Sequence, residues 1–430
     1  MSFSLDQPVH VLPFSRQIEN GEAVIGRPET GVFLALPEEA LEILDDLAAG
    51  HTVSEARRAF ASKHGETPDM IDLLEHLADH GLVSRPGESK PTDIDTFDDQ
   101  FGWIPRGLAR AFFTPIAWVV YGLSVALAVV AVVLEPSIVP GWRAAYFPRD
   151  TALLLIALMF LGLLTTFFHE LGHVLAARAQ GVATRFGIGN RLWFVVWETD
   201  MTGVWALPRR RRYLPILAGP LVDLVSASWL VLIGFAIQQE LVTVTPRALQ
   251  IVRALLLVYL MRLLWQAYFF VRTDYYYAIT NALGCKSLMA DTEAFLGERW
   301  ARLRGRRPES SLAHLSARER RAVRGYSVVW LLGRGVAVGV LLLIQLPLFI
   351  GYGGLLVSTI SSGQLADAET TSWLPVAMFL LFFGIGMTMW IRGMLRSETK
   401  HATLAGPRRS KRSSPASHPR SDPSPLNSET

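Results

Sequence analysis

Six apolar stretches, at about 112–134, 152–176, 213–237, 248–271, 327–350 and 373–395, constrain this chain more than any other feature. A helix needs ~20 apolar residues to cross the hydrocarbon core of a bilayer, and each stretch is that long. The expectation is a multi-pass α-helical membrane protein of about six spans. The bulk numbers agree, with 50% hydrophobic residues and a mean hydropathy of +0.29.

The positions of the cations set the expected orientation. Arg106 and Arg110 precede the first stretch, and Arg178, Arg185, Arg191 and Arg209–Arg212 lie between the second and third. Arg272 and the run Arg299–Arg324 lie between the fourth and fifth, and Arg396, Lys400, Arg408 and Arg409 follow the sixth. Loops 238–246 and 351–372 hold no Lys or Arg. The positive-inside rule then places both termini in the cytoplasm of a cell-membrane protein, with Arg143 and Arg149 as a mild exception. Met1–Gln17 lacks the layout of a signal peptide, which agrees with a cytoplasmic N-terminus. A net charge of +3 gives no reason to expect a nucleic-acid partner. The single cysteine, Cys285, excludes an intrachain disulfide and a Cys-rich zinc site.

Composition divides the chain into four zones. Residues 1–85 read as a small α+β, winged-helix-like domain. Residues 86–110 are a linker rich in Pro, Asp and Gly. Residues 111–396 form the membrane domain. Residues 397–430 are a basic tail of Ser, Pro, Arg and Lys, which cannot bury a core and is expected to be disordered or to lie on anionic lipid. In the first zone, strands are predicted around Val9–Leu12, Glu22–Gly26 and Gly31–Leu36, followed by three helices. The first helix covers Pro37–Ala49, the second is capped by Thr52 or Ser54, and the third opens near Pro68. His76 and His80 are four apart on the third helix but lack a following Glu, and read as a solvated face.

The second apolar stretch carries chemistry. Ala152–Phe168 has no charged residue, and His169-Glu170-Leu171-Gly172-His173 follows directly. Ionisable groups at membrane depth are costly and usually mark function. On a helix His169 and His173 share a face, so both imidazoles can reach one Zn²⁺ per chain, with Glu170 beside them to move a proton. Catalytic zinc usually takes three protein ligands and a water. In the expected topology the fourth span ends at Arg272-Thr273-Asp274, at the same depth as the histidines, so Asp274 is the candidate third ligand. Asp223, in the third span near the same side, is its competitor. Arg262, inside the fourth span, is placed to pair with a carboxylate or to snorkel. Ala218-Gly219-Pro220 is expected to break the third span, so that Gly219, Pro220 and Asp223 are candidate substrate-binding residues. Residues 186–207 read as short aromatic strands forming a hairpin or an interfacial belt, and an edge strand there can clamp an extended peptide.

These residues resemble the site-2 protease family of intramembrane zinc metalloproteases, in its peptide zinc metalloprotease branch. The resemblance covers roughly 150–290. It rests on His169-Glu170-Leu-Gly-His173, Thr199-Asp200-Met-Thr-Gly-Val-Trp205, Arg209–Arg212, Ala218-Gly-Pro220 and Arg272-Thr-Asp274-Tyr275-Tyr276. Tyr275 stands where the family pattern has Gly. The resemblance implies a zinc endopeptidase with His169, His173 and Asp274 as ligands and Glu170 as the catalytic acid–base. The pattern of three strands, three helices and Gly81-Leu-Val resembles PqqD-like domains, also called RiPP recognition elements. That resemblance implies binding of a precursor's leader as an added strand between the third strand and third helix.

Together these readings give an expected function: cleavage of a ribosomally made precursor peptide that removes its leader, alone or coupled to export. Two alternatives stay open. One is regulated intramembrane proteolysis of a membrane regulator. The other is a non-catalytic scaffold or export component of peptide biosynthesis. The chain lacks a Gly-rich Lys motif for ATP, which argues against a self-powered transporter.

Overall fold

The computed structural model describes residues 3–393 apart from 20–21, 28–29, 31, 86–96, 142–150, 286, 307–311, 313–314, 362–376 and 378–379. The expected basic tail, 397–430, lies outside the described residues.

The N-terminal domain is an antiparallel sheet of β1 (Ser15–Glu19), β2 (Glu22–Arg27) and β3 (Val32–Pro37), in the order β1-β2-β3. Three helices follow: α1 (Ala40–Ala48), α2 (Val53–His64) and α3 (Met70–Asp79). Ala23 and Ile25 point from β2 into a core with Ile43, Leu44, Leu47, Met70, Leu74 and Leu77. Thr52 starts α2 with a reciprocal capping box to Glu55, and Gly65 ends it at φ +73°, a left-handed geometry that glycine adopts without a Cβ clash. Asp69 caps α3 by accepting from the amides of Ile71 and Asp72.

One expected strand is misplaced. Val9–Leu12 is not part of the sheet; the first strand is Ser15–Glu19. Val11 instead bridges Val83 beyond α3, and the amide of Leu12 donates to the carbonyl of Leu82 at 3.0 Å. This apolar run closes the domain against the segment after α3, a pairing with no local signal.

The expected linker 86–110 is also partly structured. Arg178 donates to Asp99 (2.9 Å) and to the carbonyls of Gly102 and Ile104, while Asp99 accepts from the amide of Thr184. Residues from Arg106 then form a short helix, α4 (Arg106–Ala111).

Long apolar helices dominate the rest. They are α5 (Pro115–Leu134), α6 (Thr151–Ala179), α7 (Arg209–Gln238), α8 (Pro246–Gln266) and α11 (Ala317–Val340). Between and after them come α9 (Asp274–Leu283), α10 (Leu288–Leu303), α12 (Leu346–Ser361) and α13 (Leu380–Gly393). A π-helical turn, Leu341–Gln345, joins α11 to α12. Among the described residues five helical segments are long and apolar enough to cross a membrane, beginning at Pro115, Met159, Arg209, Pro246 and Ala317. The sixth expected span is described only over Leu380–Gly393, which is shorter. Large apolar side chains such as Ile116, Val133, Leu332 and Leu343 stand exposed on these helices, as lipid-facing groups do.

Helix α7 is the hub, packing against α5, α6, α8 and α9. Gly172 lets α6 and α7 approach closely: a Cβ there would lie 2.9 Å from the carbonyl oxygen of Ala218. The expected break at Ala218-Gly219-Pro220 does not occur, because α7 runs unbroken from Arg209 to Gln238 through both Pro215 and Pro220. Prolines remove backbone donors, and packed neighbouring helices tolerate that loss.

Candidate metal centre

Helix α6 presents His169 and His173 one turn apart, buried against α7. Asp274, the first residue of α9, reaches them from a loop beyond α8. The span expected to end at Asp274 actually stops at Gln266, and Thr273 caps the new helix. Asp274 Oδ2 lies 3.1 Å from His169 Nε2 and 3.4 Å from His173 Nε2, and the two Nε2 atoms are 3.3 Å apart. A ligand oxygen of Glu170 lies within 4.8 Å of the imidazole nitrogens.

The far side of each ring fixes its tautomer. His169 Nδ1–H donates to Asp223 Oδ2 at 2.7 Å, and His173 Nδ1–H donates to the carbonyl of Pro215 at 2.7 Å. Both partners accept, so each imidazole, when neutral, would turn a lone pair inward at Nε2. The carboxylate of Asp274 adds another. With both rings neutral, three lone pairs within 3.4 Å of one another would repel unless a metal cation or a proton lay among them. Atoms held about 2.0–2.2 Å from a tetrahedral Zn²⁺ sit roughly 3.3–3.6 Å apart, which is close to the spacing found here. Gly219 keeps the space open, because a Cβ on it would lie 2.3 Å from His173 Nε2 and 2.5 Å from His169 Nε2. Charge fits as well. The cluster sets the carboxylates of Glu170, Asp223 and Asp274 against the guanidinium of Arg262, so with the acids ionised and the rings neutral it would lack two positive charges.

Neighbouring groups orient the acids. Gln266 Nε2 donates to Asp274 Oδ2 (2.9 Å), and Gln266 Oε1 accepts from the Asp274 amide (3.0 Å). Thr199 Oγ1 donates to Glu170 Oε2 at 2.7 Å. Thr199 lies on the second strand of a hairpin, β4 (Arg185–Arg191) and β5 (Phe194–Asp200), whose turn buries Trp193 against Val271, Leu341 and Phe383.

The centre opens into a cleft of about 950 Å³. Its walls are the hairpin, the turn Thr202–Ala206, α8 and the start of α9, including Phe186, Trp197, Trp205, Trp265 and Tyr277. Glu170, His169, His173 and Asp274 all face it.

The sequence-derived candidates sort by position. His169, His173, Asp274 and Glu170 converge. Asp223 lies on the opposite side of His169 from Asp274, fully buried, so it does not share the ligand position. Gly219, Pro220 and Asp223 do not line the cleft as expected of substrate-binding residues. They sit on α7 behind or against the imidazoles, because the unbroken helix gives no gap for a substrate. Arg262 pairs with Asp223 and not with Asp274. Gln266 is absent from the sequence-derived site because a lone uncharged polar residue carries no signal, and Thr199 appears there only as the first residue of the Thr199–Trp205 motif, with no role assigned.

No family model, curated protein or solved structure matches the chain, so the interpretation rests on the site's own geometry.

Proposed function

We propose that the chain is a membrane-embedded zinc endopeptidase. One observation carries this reading: His169 Nε2, His173 Nε2 and Asp274 Oδ2 converge within 3.4 Å of one another, beside Glu170 and a cleft of about 950 Å³. Zinc there supplies Lewis acidity and brings the pKa of a water to about 7.

The chain's own groups perform the remaining work. Glu170 accepts a proton from water at its carboxylate and returns it to the leaving nitrogen of the peptide. Thr199 holds the Glu170 carboxylate toward the cleft. Among the described residues β5 pairs only with β4, and its other edge could bind an extended peptide through backbone hydrogen bonds. The aromatic wall excludes water and receives bulky side chains.

In this reading both termini and the histidine end of α6 face the cytoplasm. The substrate is a ribosomally made precursor, recruited by the N-terminal domain through its leader. The sheet of that domain seats on Thr202–Ala206, which also lines the cleft, so a recruited peptide is delivered beside the centre.

The test is Glu170→Gln in detergent-purified protein. It is expected to retain one zinc per chain and to lose cleavage of the co-encoded precursor by 10³-fold or more, on the order of a lost general acid–base. Cleavage at the wild-type rate would remove Glu170 from the mechanism. Protein that binds no zinc when zinc is supplied would remove the metal.

A further inference from the structure

Asp223 is wholly buried, and the proposed chemistry does not use it. Arg262 likewise lies within an apolar helix, one turn before its end, where a guanidinium is expensive and seldom idle. It does not snorkel. Its Nη1 donates to the Thr165 carbonyl (2.7 Å) and to Asp223 Oδ1 (3.3 Å). Its Nη2 donates to Thr165 Oγ1 (2.6 Å), Thr166 Oγ1 (3.0 Å) and the Gly162 carbonyl (3.3 Å). The arginine thus ties α8 to the turn of α6 just before His169, while Asp223 ties α7 to His169 itself.

We propose that Asp223 and Arg262 are positioning residues that act as one unit on His169: Asp223 holds the imidazole ring through Nδ1 with Nε2 turned toward the metal, and Arg262 holds the Asp223 carboxylate in the orientation that reaches the ring. This rests on the zinc reading above. Both oxygens of Asp223 are committed, Oδ2 to the ring and Oδ1 to the guanidinium. A carboxylate behind a ligating histidine fixes the ring and raises its basicity, and removing one typically costs 10–100-fold in metal affinity. His173 has only a carbonyl behind it, so the two ligands are held unequally.

The experiment compares wild type with the Asp223→Asn/Arg262→Gln double variant, which removes both charges together and leaves no orphaned ion. Zinc affinity is measured by competition with a chromophoric chelator, and ligand geometry by the visible absorption of the Co²⁺-loaded protein. The double variant is expected to bind zinc about 10–100-fold more weakly, with shifted Co²⁺ bands. Its kcat on the precursor falls while KM stays. Zinc affinity within threefold of wild type with an unchanged Co²⁺ spectrum overturns the proposal, even where Glu170→Gln has abolished cleavage. Should the double variant fail to fold by size exclusion, Thr165→Val/Thr166→Val decides, because it loosens Arg262 without altering any charge. A severalfold weaker zinc affinity is expected there, and an unchanged one overturns the proposal. Wild-type protein that takes up neither metal overturns this inference and the zinc reading together.

Discussion

Glu19 on β1 and Arg212 in the first turn of α7 pair through both guanidinium nitrogens, at 2.6 and 3.1 Å, and join the N-terminal sheet to the membrane domain. The same guanidinium donates to the carbonyls of Trp205 and Leu207 and stacks over the Trp205 ring. Arg212 is buried, so its charge depends on Glu19. Glu19→Gln strands that charge, and breaking a buried pair costs about 3–5 kcal/mol. The cheapest relief is for the sheet to lift and admit water. Hydrogen exchange of the Thr202–Ala206 amides is expected to rise by roughly tenfold or more. Unchanged protection there would show that other contacts seat the sheet.

Thr199 shares its hydroxyl between the carboxylate of Glu170 at 2.7 Å and that residue's carbonyl at 3.3 Å. Hydrogen bonds to charged groups contribute about 1.5–3 kcal/mol, so Thr199→Val should lower kcat by about 10–100-fold. The zinc ligands do not touch Thr199, and metal content should stay at wild type. Thr199→Ser restores the donor and should recover most of the rate. Valine and serine variants of equal activity would remove this contact from catalysis.

Much of this centre is legible in the chain, for reasons specific to each residue. The spacing of His169 and His173 places both on one helical face whatever surrounds them. Asp274 is readable because charge counting leads one to expect an acid at the end of the fourth apolar stretch on the same side as the histidines. Asp223 is visible only as an acid in an apolar stretch, since which side of His169 it approaches depends on the rotation of α7 about its axis. Gln266 escapes notice because α8 ends there and a loop folds Asp274 back onto it, eight residues later. Asp99 looks like linker because its partner Arg178 is 79 positions away. The expected break at Gly219-Pro220 fails because proline disrupts isolated helices more than packed ones, and here glycine serves close approach to the imidazoles.

That close approach makes Gly219→Ala a sharp test. The added methyl would meet both Nε2 atoms within 2.5 Å, so the rings must turn away from each other. Zinc stoichiometry should fall close to zero, with little change in helical content. Gly122→Ala on α5 is the control, since nothing lies within 4 Å of a Cβ at that position. It should keep zinc and gain slightly in stability, by about 0.5–1 kcal/mol, from reduced backbone freedom. Full zinc occupancy in Gly219→Ala would mean that the rings have room to spare.

Cys285 reports on the packing around α9 without entering the chemistry. It lies buried in a cluster with Tyr276, Leu288, Met289 and Phe295. Burial pushes its thiol up to about 11, because the thiolate would lose its hydration there. An unfolded cysteine titrates near ~8.5. At pH 8 the native thiol is therefore almost wholly neutral, and only the thiolate attacks an alkylating reagent. Iodoacetamide should label native protein about 100-fold or more slowly than protein in denaturant, given the two pKa values and the added steric cover. Labelling should accelerate as pH rises toward 11. Tyr276→Ala should hasten it at constant pH, because the ring packs in the same cluster and its hydroxyl accepts from the amide of Met289 at 3.0 Å. Equal native and denatured rates at pH 8 would place Cys285 at the surface and undo the packing of α9 that presents Asp274 to the histidines.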